Sequence, residues 1–279
     1  SSIVILKPSL GIFMKEIRLG LKILSTLTKD RIQYPGRLVT DTVGMLARCG
    51  ILLLLYHYVY KLNNDNINGT YFLEAAWSIF FYFAFSVLRL RDISHLIMQD
   101  VRSGNVEVLF SKPISYITYR CWWQVGIGLY SFVVLTLAIA LVLFLLIGIP
   151  GTMRITIFLP SLLLVIFLGV ILSLLLYVFI GLLAFWIEDV MPLYWIVDKA
   201  VMILGGSYLP VALFPKYLYL AAKYSPFGAT HFITQTTSSH WGNDWINFSL
   251  IQFFWIIIFL AFVSSLFSLA RAKVSVNGG

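Results

Sequence analysis

From Ile157 to Ile187 the sequence carries no charged residue, and from Tyr119 to Ile149 it carries one, Arg120. Each run exceeds the roughly 20 apolar residues that cross a bilayer as an α-helix. In hydrocarbon a chain must satisfy its own backbone hydrogen bonds, which leaves helices and closed barrels. Four more runs join these two: Leu38–Leu62, Tyr71–Leu90, Leu193–Leu213 and Trp245–Ala270. The expectation is an all-α polytopic membrane protein with six transmembrane helices in a single domain, residues 1–279. Hydrophobic residues make up 60% of the chain and charged ones 11%, whereas a soluble domain runs nearer a quarter charged. The third and fourth spans are long enough that they must tilt or project from the bilayer.

Lysine and arginine set the orientation. Eight fall in Ser1–Arg48 and five in Arg89–Arg120; Lys199, Arg271 and Lys273 bring one side to sixteen. The other side holds four: Lys61, Arg154, Lys216 and Lys223. This places both termini in the cytosol of a multi-pass protein of the cell (inner or cytoplasmic) membrane. It also assigns the formal charge of +8 to topology rather than to nucleic acid. Ser1–Leu10 lacks the pattern of a cleaved signal peptide, so the first span is expected to stay in the mature chain.

The polar stretch Arg89–Arg120 lies between the second and third spans, with residues 91–116 as its cytosolic loop. Asp92 to Gln99, including His95, has helical spacing, with Ile93, Leu96 and Ile97 on one face. Asp100 and Arg102 lead into Ser103-Gly104-Asn105, a turn signal. Val106, Val108 and Phe110 then alternate with polar residues such as Glu107, which reads as strand-like, before Lys112-Pro113 closes the unit. A folded, charged element on the basic side reads as a docking surface for a cytosolic partner.

Residues 10–30 read as an amphipathic helix in the cytosolic interface. Leu10, Phe13, Ile17, Leu21 and Leu24 form an apolar stripe, beside Lys15, Lys22 and Lys29 at intervals of seven. Gln33-Tyr34-Pro35-Gly36 breaks it before the first span. On the other side, residues 208–244 contain Pro210 and Pro215, which are expected to break the fifth span. Lys216–Tyr224 can make two helical turns, Pro226 interrupts again, and a Thr/Ser run follows. Broken backbone at membrane depth must be buried in protein or face a wet cavity, so a re-entrant outer element is expected.

Signals for chemistry are few. There is no Gly-rich phosphate loop followed by lysine, no HExxH and no paired-cysteine metal spacing. The four histidines are scattered, and Cys49 and Cys121 fit neither a disulfide nor a metal site. No catalytic residue, metal or cofactor is expected in this chain. Arg48, Glu74, Asp198 and Lys199 are the ionisable groups in or near spans, where charge is costly. No series of carboxylates crosses the membrane, which argues against a proton-coupled carrier.

Taken in order, these elements resemble the permease subunits of type 2 ABC exporters, the ABC-2 family transporter proteins, in their viologen-exporter-like group. The resemblance rests on the amphipathic helix before the first span and on Ile97–Pro113, IMQDVRSGNVEVLFSKP. It rests also on LPVALFPKYL followed by YSPF, and on the basic C-terminal stretch Ala270–Gly279 ending in two glycines. The chain departs from the family in having Ser111-Lys112 where arginine before the proline is commoner.

The resemblance implies two permeases, identical or related, packed about a central path, with two cytosolic ATPase subunits that carry the Mg-ATP. It implies an ATPase-coupling set of Asp92, His95, Gln99, Asp100, Arg102, Ser103, Gly104, Asn105, Glu107, Lys112 and Pro113. It further implies a connecting helix bearing Lys15, Arg18, Lys22 and Lys29. The re-entrant cap would hold Pro210, Phe214, Pro215, Pro226 and Phe227. Membrane lipid is the remaining partner expected. An ATP-independent channel or carrier, and a non-transporting anchor for a cytosolic protein, are the alternatives.

Overall fold

A computed structural model of the chain describes residues 10–33, 36–67, 69–110, 114–151, 153 and 155–277. It is 84% helical, which makes the chain an all-α protein. Helix α1 (Leu10–Gln33) is followed by α2 (Gly36–Leu62), with the expected break at Tyr34-Pro35 lying outside the described residues. Asn64 and Asp65 then take φ of 54° and 60°, a left-handed conformation that short polar side chains tolerate best. They lead into a two-stranded hairpin, β1 (Asn66–Ile67) and β2 (Thr70–Tyr71), with Asn66 opposite Tyr71. Glu74 accepts a hydrogen bond from the Tyr71 N–H at 3.3 Å and so caps α3 (Phe72–Ser86).

The expected span Tyr71–Leu90 is thus shorter as a helix. It ends at Ser86, and Arg89 at φ 52° turns the chain into α4 (Asp92–Ser103). Gln124 Nε2 donates to Arg89 O at 2.7 Å and holds that turn. Gly104, at φ 72°, ends α4 in the left-handed conformation that glycine adopts freely. The strand-like reading of Val106, Val108 and Phe110 is corrected: Asn105–Phe110 is a short helix, α5. Val106 and Leu109, three residues apart, are the buried pair, while Glu107 and Val108 face out.

Two long helices follow, α6 (Tyr116–Ile147) and α7 (Ile155–Leu182), then a 3₁₀ turn, Leu183–Phe185. The expected span Leu193–Leu213 is also shortened. Helix α8 (Met191–Leu204) stops well before Pro210, so proline does not end it. Gly206, at φ 87°, closes it in a Schellman pattern: Ser207 N–H donates to Met202 O at 3.0 Å and Gly206 N–H to Ile203 O at 3.2 Å. Helices α9 (Lys216–Tyr224) and α10 (Pro226–Ala229), a 3₁₀ turn Phe232–Thr237 and the long α11 (Trp241–Asn277) complete the chain.

Among the described residues four helices are long and apolar enough to cross a membrane: Leu38–Leu62, Tyr116–Ile147, Ile157–Phe185 and Trp241–Lys273. Helices α3 and α8, with 15 and 14 residues, fall short of that length. The core centres on α7, whose most apolar stretch is 56% buried against 12–22% for those of the other three. Helices α4 and α11 pack along it. A methyl on Gly181 would lie 2.9 Å from Ile97 Cβ, so the bare glycine is what lets α4 sit this close. The outward faces of α2 and α6 expose side chains such as Leu54 and Leu146 to 73% and 74%. Apolar surface on this scale calls for lipid or protein cover.

Candidate functional site

The α4–α5 corner is a folded polar element between α3 and α6. Gln99, Arg102, Ser103, Gly104, Asn105 and Glu107 are exposed on it, and Val108 stands out beside them at 68% exposure. Lys112 and Pro113 lie outside the described residues. Asp92 and His95 are half-buried, and the His95 ring packs 4.3 Å from that of Tyr194 on α8. Arg102 Nη2 donates to Glu188 O at 2.8 Å and to Asp189 Oδ1 at 3.2 Å, tying the corner to the loop before α8.

Asp100 points the other way. It is 5% exposed and takes both prongs of the Arg120 guanidinium, Nε to Oδ2 at 2.7 Å and Nη2 to Oδ1 at 2.5 Å. Tyr116, also buried, donates its hydroxyl to Oδ2 at 2.7 Å. A two-pronged, charge-assisted contact of this kind fixes orientation as well as distance. It anchors the end of α4 to the start of α6. Asp100 therefore holds the corner in place, whereas its exposed neighbours form the surface.

A second ionic contact joins the start of α4 to α8. Arg91 Nη1 donates to both oxygens of Asp198, at 3.2 and 3.3 Å, and Tyr177 of α7 adds its hydroxyl at 3.2 Å. Asp198 is 1% exposed. Burial works against the Arg91 charge, but Asp198 beside it outweighs burial and holds the guanidinium above its ordinary pKa. A cavity of about 40 Å³ lies over this pair, reaching Tyr82 and His231. The His231 ring stacks on Tyr82 at 4.8 Å, and its Nδ1 lies 2.8 Å from Thr230 Oγ1. Sequence reasoning marked Asp198 as a costly charge but did not find its partners. They lie 107 and 21 positions away, on helices that only the fold brings together.

Lys15, Arg18, Lys22 and Lys29 are exposed on α1, which packs against α6. Glu16 Oε1 accepts from the Ser115 N–H at 3.3 Å, so the first turns of α1 touch the segment leading from the corner into α6.

The segment between α8 and α11 folds back into the core. Pro210 is buried, Phe214, Pro226 and Phe227 are half-buried, and Pro215 is exposed. Ser225 Oγ accepts from the Gly228 N–H at 3.2 Å and caps α10, with Pro226 at its first position. Gln252 of α11 donates to Ala229 O at 2.9 Å and to Val165 O of α7 at 3.3 Å. Trp241 donates to Ser161 Oγ at 2.9 Å, while a methyl on Gly169 would lie 2.9 Å from Thr230 O. Ser161 and Gly169 are roughly 12 Å apart along α7 at 1.5 Å per residue. The segment thus reaches the middle of the central helix and returns.

Neither the protein-family models nor the curated proteins contain a match to this chain.

Proposed function

We propose that the chain is the permease subunit of an ATP-driven exporter of the ABC-2 kind. In this reading α2, α3, α6, α7, α8 and α11 are its six spans, with α3 and α8 the short ones. Both termini and the α4–α5 corner face the cytosol, as the sixteen-to-four division of basic residues favours. Residues 208–244 form the outer re-entrant element, which the approach of Thr230 to Gly169 supports. A second permease, identical or related, completes the path. Two separate ATPase subunits supply the Mg-ATP chemistry.

One observation carries the reading: the exposed corner is backed by the buried Asp100–Arg120 contact. A solvated loop has no need of such an anchor. A surface that receives a push does, because force applied to a loose loop is lost in bending it. Displacement of the corner passes from Asp100 to α6, from Ile97 to Gly181 of α7, and from Arg91 to Asp198 of α8. Three spans then move with α4 as one body, a rigid-body route between two states that ATP binding on the partner would bias.

The test replaces exposed residues only. Glu107→Arg with Val108→Asp is expected to leave the unfolding midpoint unchanged, since exposed substitutions cost within about 0.5 kcal/mol. The same variant is expected to lose co-purification with the ATPase and ATP-driven transport in liposomes. Unchanged association would reject the docking surface. Transport by the purified chain with no ATPase present would favour the channel or carrier alternative instead.

A further inference from the structure

We propose that the opposite end of the molecule holds a binding site for a small organic cation, an ammonium compound that carries further hydrogen-bonding groups. A cavity of about 300 Å³ opens there between the hairpin, the first turn of α3, the 3₁₀ turn Phe232–Thr237 and the start of α11. That volume is the lower bound for small-molecule sites. At about 30 Å³ per water it has room for roughly ten solvent molecules or a compact ligand.

The lining chooses the charge. Glu74 and Asp244 both line the cavity, and among the described residues no lysine or arginine does. The chain as a whole has twenty basic residues against twelve acidic, so this is a local reversal of sign. His240 is the only residue on the wall that can oppose the two carboxylates. Low-dielectric walls of one charge sign raise the local concentration of the opposite ion.

Two further side chains show that the cavity is built for hydrogen bonding. Gln235 is 5% exposed, yet its carboxamide makes no hydrogen bond among the described residues and it lines the cavity. Glu74 is 7% exposed, and among the described residues its carboxylate makes one hydrogen bond, the 3.3 Å contact with the Tyr71 N–H of its own cap. Both side chains line the cavity, so their remaining hydrogen-bonding capacity is open to whatever occupies it. The Ser238 hydroxyl, which accepts from the His240 N–H at 3.3 Å, adds its own proton as a donor on the same wall.

A metal ion suits the site poorly. Among the described residues no three histidine, cysteine, aspartate or glutamate side chains converge closely enough to hold one. Hard cations such as calcium take six to eight oxygen ligands. An ammonium group needs fewer partners, and an amino alcohol uses the amide and hydroxyls as well. The site is independent of coupling to an ATPase, so its loss would leave that proposal standing.

The experiment titrates ethanolamine into the purified full-length chain in lipid nanodiscs by calorimetry. Ethylene glycol, in which a hydroxyl replaces the ammonium, is the matched control. Saturable ethanolamine binding with none for the glycol is expected. Glu74→Gln and Asp244→Asn should each weaken it about tenfold, the scale of one charge-assisted contact. Gln235→Glu should tighten it by adding a third carboxylate, and this gain keeps the test informative if Glu74→Gln fails to fold. Equal binding of glycol, full affinity in the folded Glu74→Gln and Asp244→Asn variants, no gain with Gln235→Glu, or no saturable binding at millimolar ethanolamine would each overturn the proposal.

Discussion

The two ends of the molecule treat acidic residues in opposite ways. At the α4 end Asp100, Asp198 and Asp189 each meet an arginine, with nitrogen–oxygen distances of 2.5, 3.2 and 3.2 Å. At the hairpin end Glu74 and Asp244 face a cavity that no arginine or lysine lines among the described residues. Closed charge pairs fix helices against one another. Carboxylates around open volume tie no two helices together, Glu74 only capping its own α3, and they leave coordination to spare. The first arrangement belongs to an element that must keep its shape, and the second to one that awaits a ligand. Substitutions that remove one negative charge at a time measure this difference directly.

The largest effect is expected at Asp100. Its partner Arg120 has only 13% of its side chain exposed, so the guanidinium cannot recover in water what it loses. Removing one member of a buried pair costs about 3–5 kcal/mol, mostly from the charge left behind. Asp100→Ala should therefore lower the stability to chemical unfolding by about that amount. Asp100→Leu combined with Arg120→Met should restore most of it, because the double variant leaves no orphan charge. A single variant costing under about 1 kcal/mol would mean that the pair does not anchor α4.

Asp198 should matter less, although it is the more deeply buried acid. Its arginine, Arg91, keeps 45% of its side chain exposed and can turn to solvent when the carboxylate is neutralised. Asp198→Asn keeps a group that can accept from Tyr177, so the expected loss is about 1–2 kcal/mol. The unfolding midpoints of this variant and Asp100→Ala, measured together, rank the two contacts. A larger cost at Asp198 would place the main tie of α4 on α8 rather than on α6.

Much of this architecture was legible in the sequence, but the pairing of charges was not. Lys216–Tyr224 reads as two helical turns between prolines and forms α9 over those residues, because Pro215 and Pro226 punctuate it locally. Gly104 reads as a turn and takes the left-handed φ that ends α4. The six residues after it are ambiguous: Val106, Val108 and Phe110 fit a period of two, while Val106 and Leu109 fit a helix, and so short a stretch is too little to arbitrate. The apolar run continues to Leu213 past Pro210, but Gly205-Gly206 carries the C-terminal signal that ends α8 at Leu204. Nothing local distinguishes Asp100, turned inward, from Glu107, turned outward. Nor does anything tie Arg91 to Asp198 across 107 positions. Burial and long-range pairing are properties of the packed helices.

Glu74→Gln makes the sharpest contrast because little or no loss is expected. The glutamate is buried to 7% exposure, and among the described residues no lysine or arginine lines its cavity, so its charge carries a desolvation cost with little ionic return. Glutamine keeps an oxygen that can accept the Tyr71 N–H, which preserves the cap of α3. Against that stands the attraction of a carboxylate for a helix N-terminus, about 0.3–1 kcal/mol. The two contributions oppose each other, and the unfolding free energy should change by less than about 1 kcal/mol, with stabilisation the favoured sign. The measurement is made without added amines, since a bound cation would stabilise the native glutamate form alone. A loss approaching that at Asp100 would mean that Glu74 is already paired within the fold, and the contrast between the two ends would disappear.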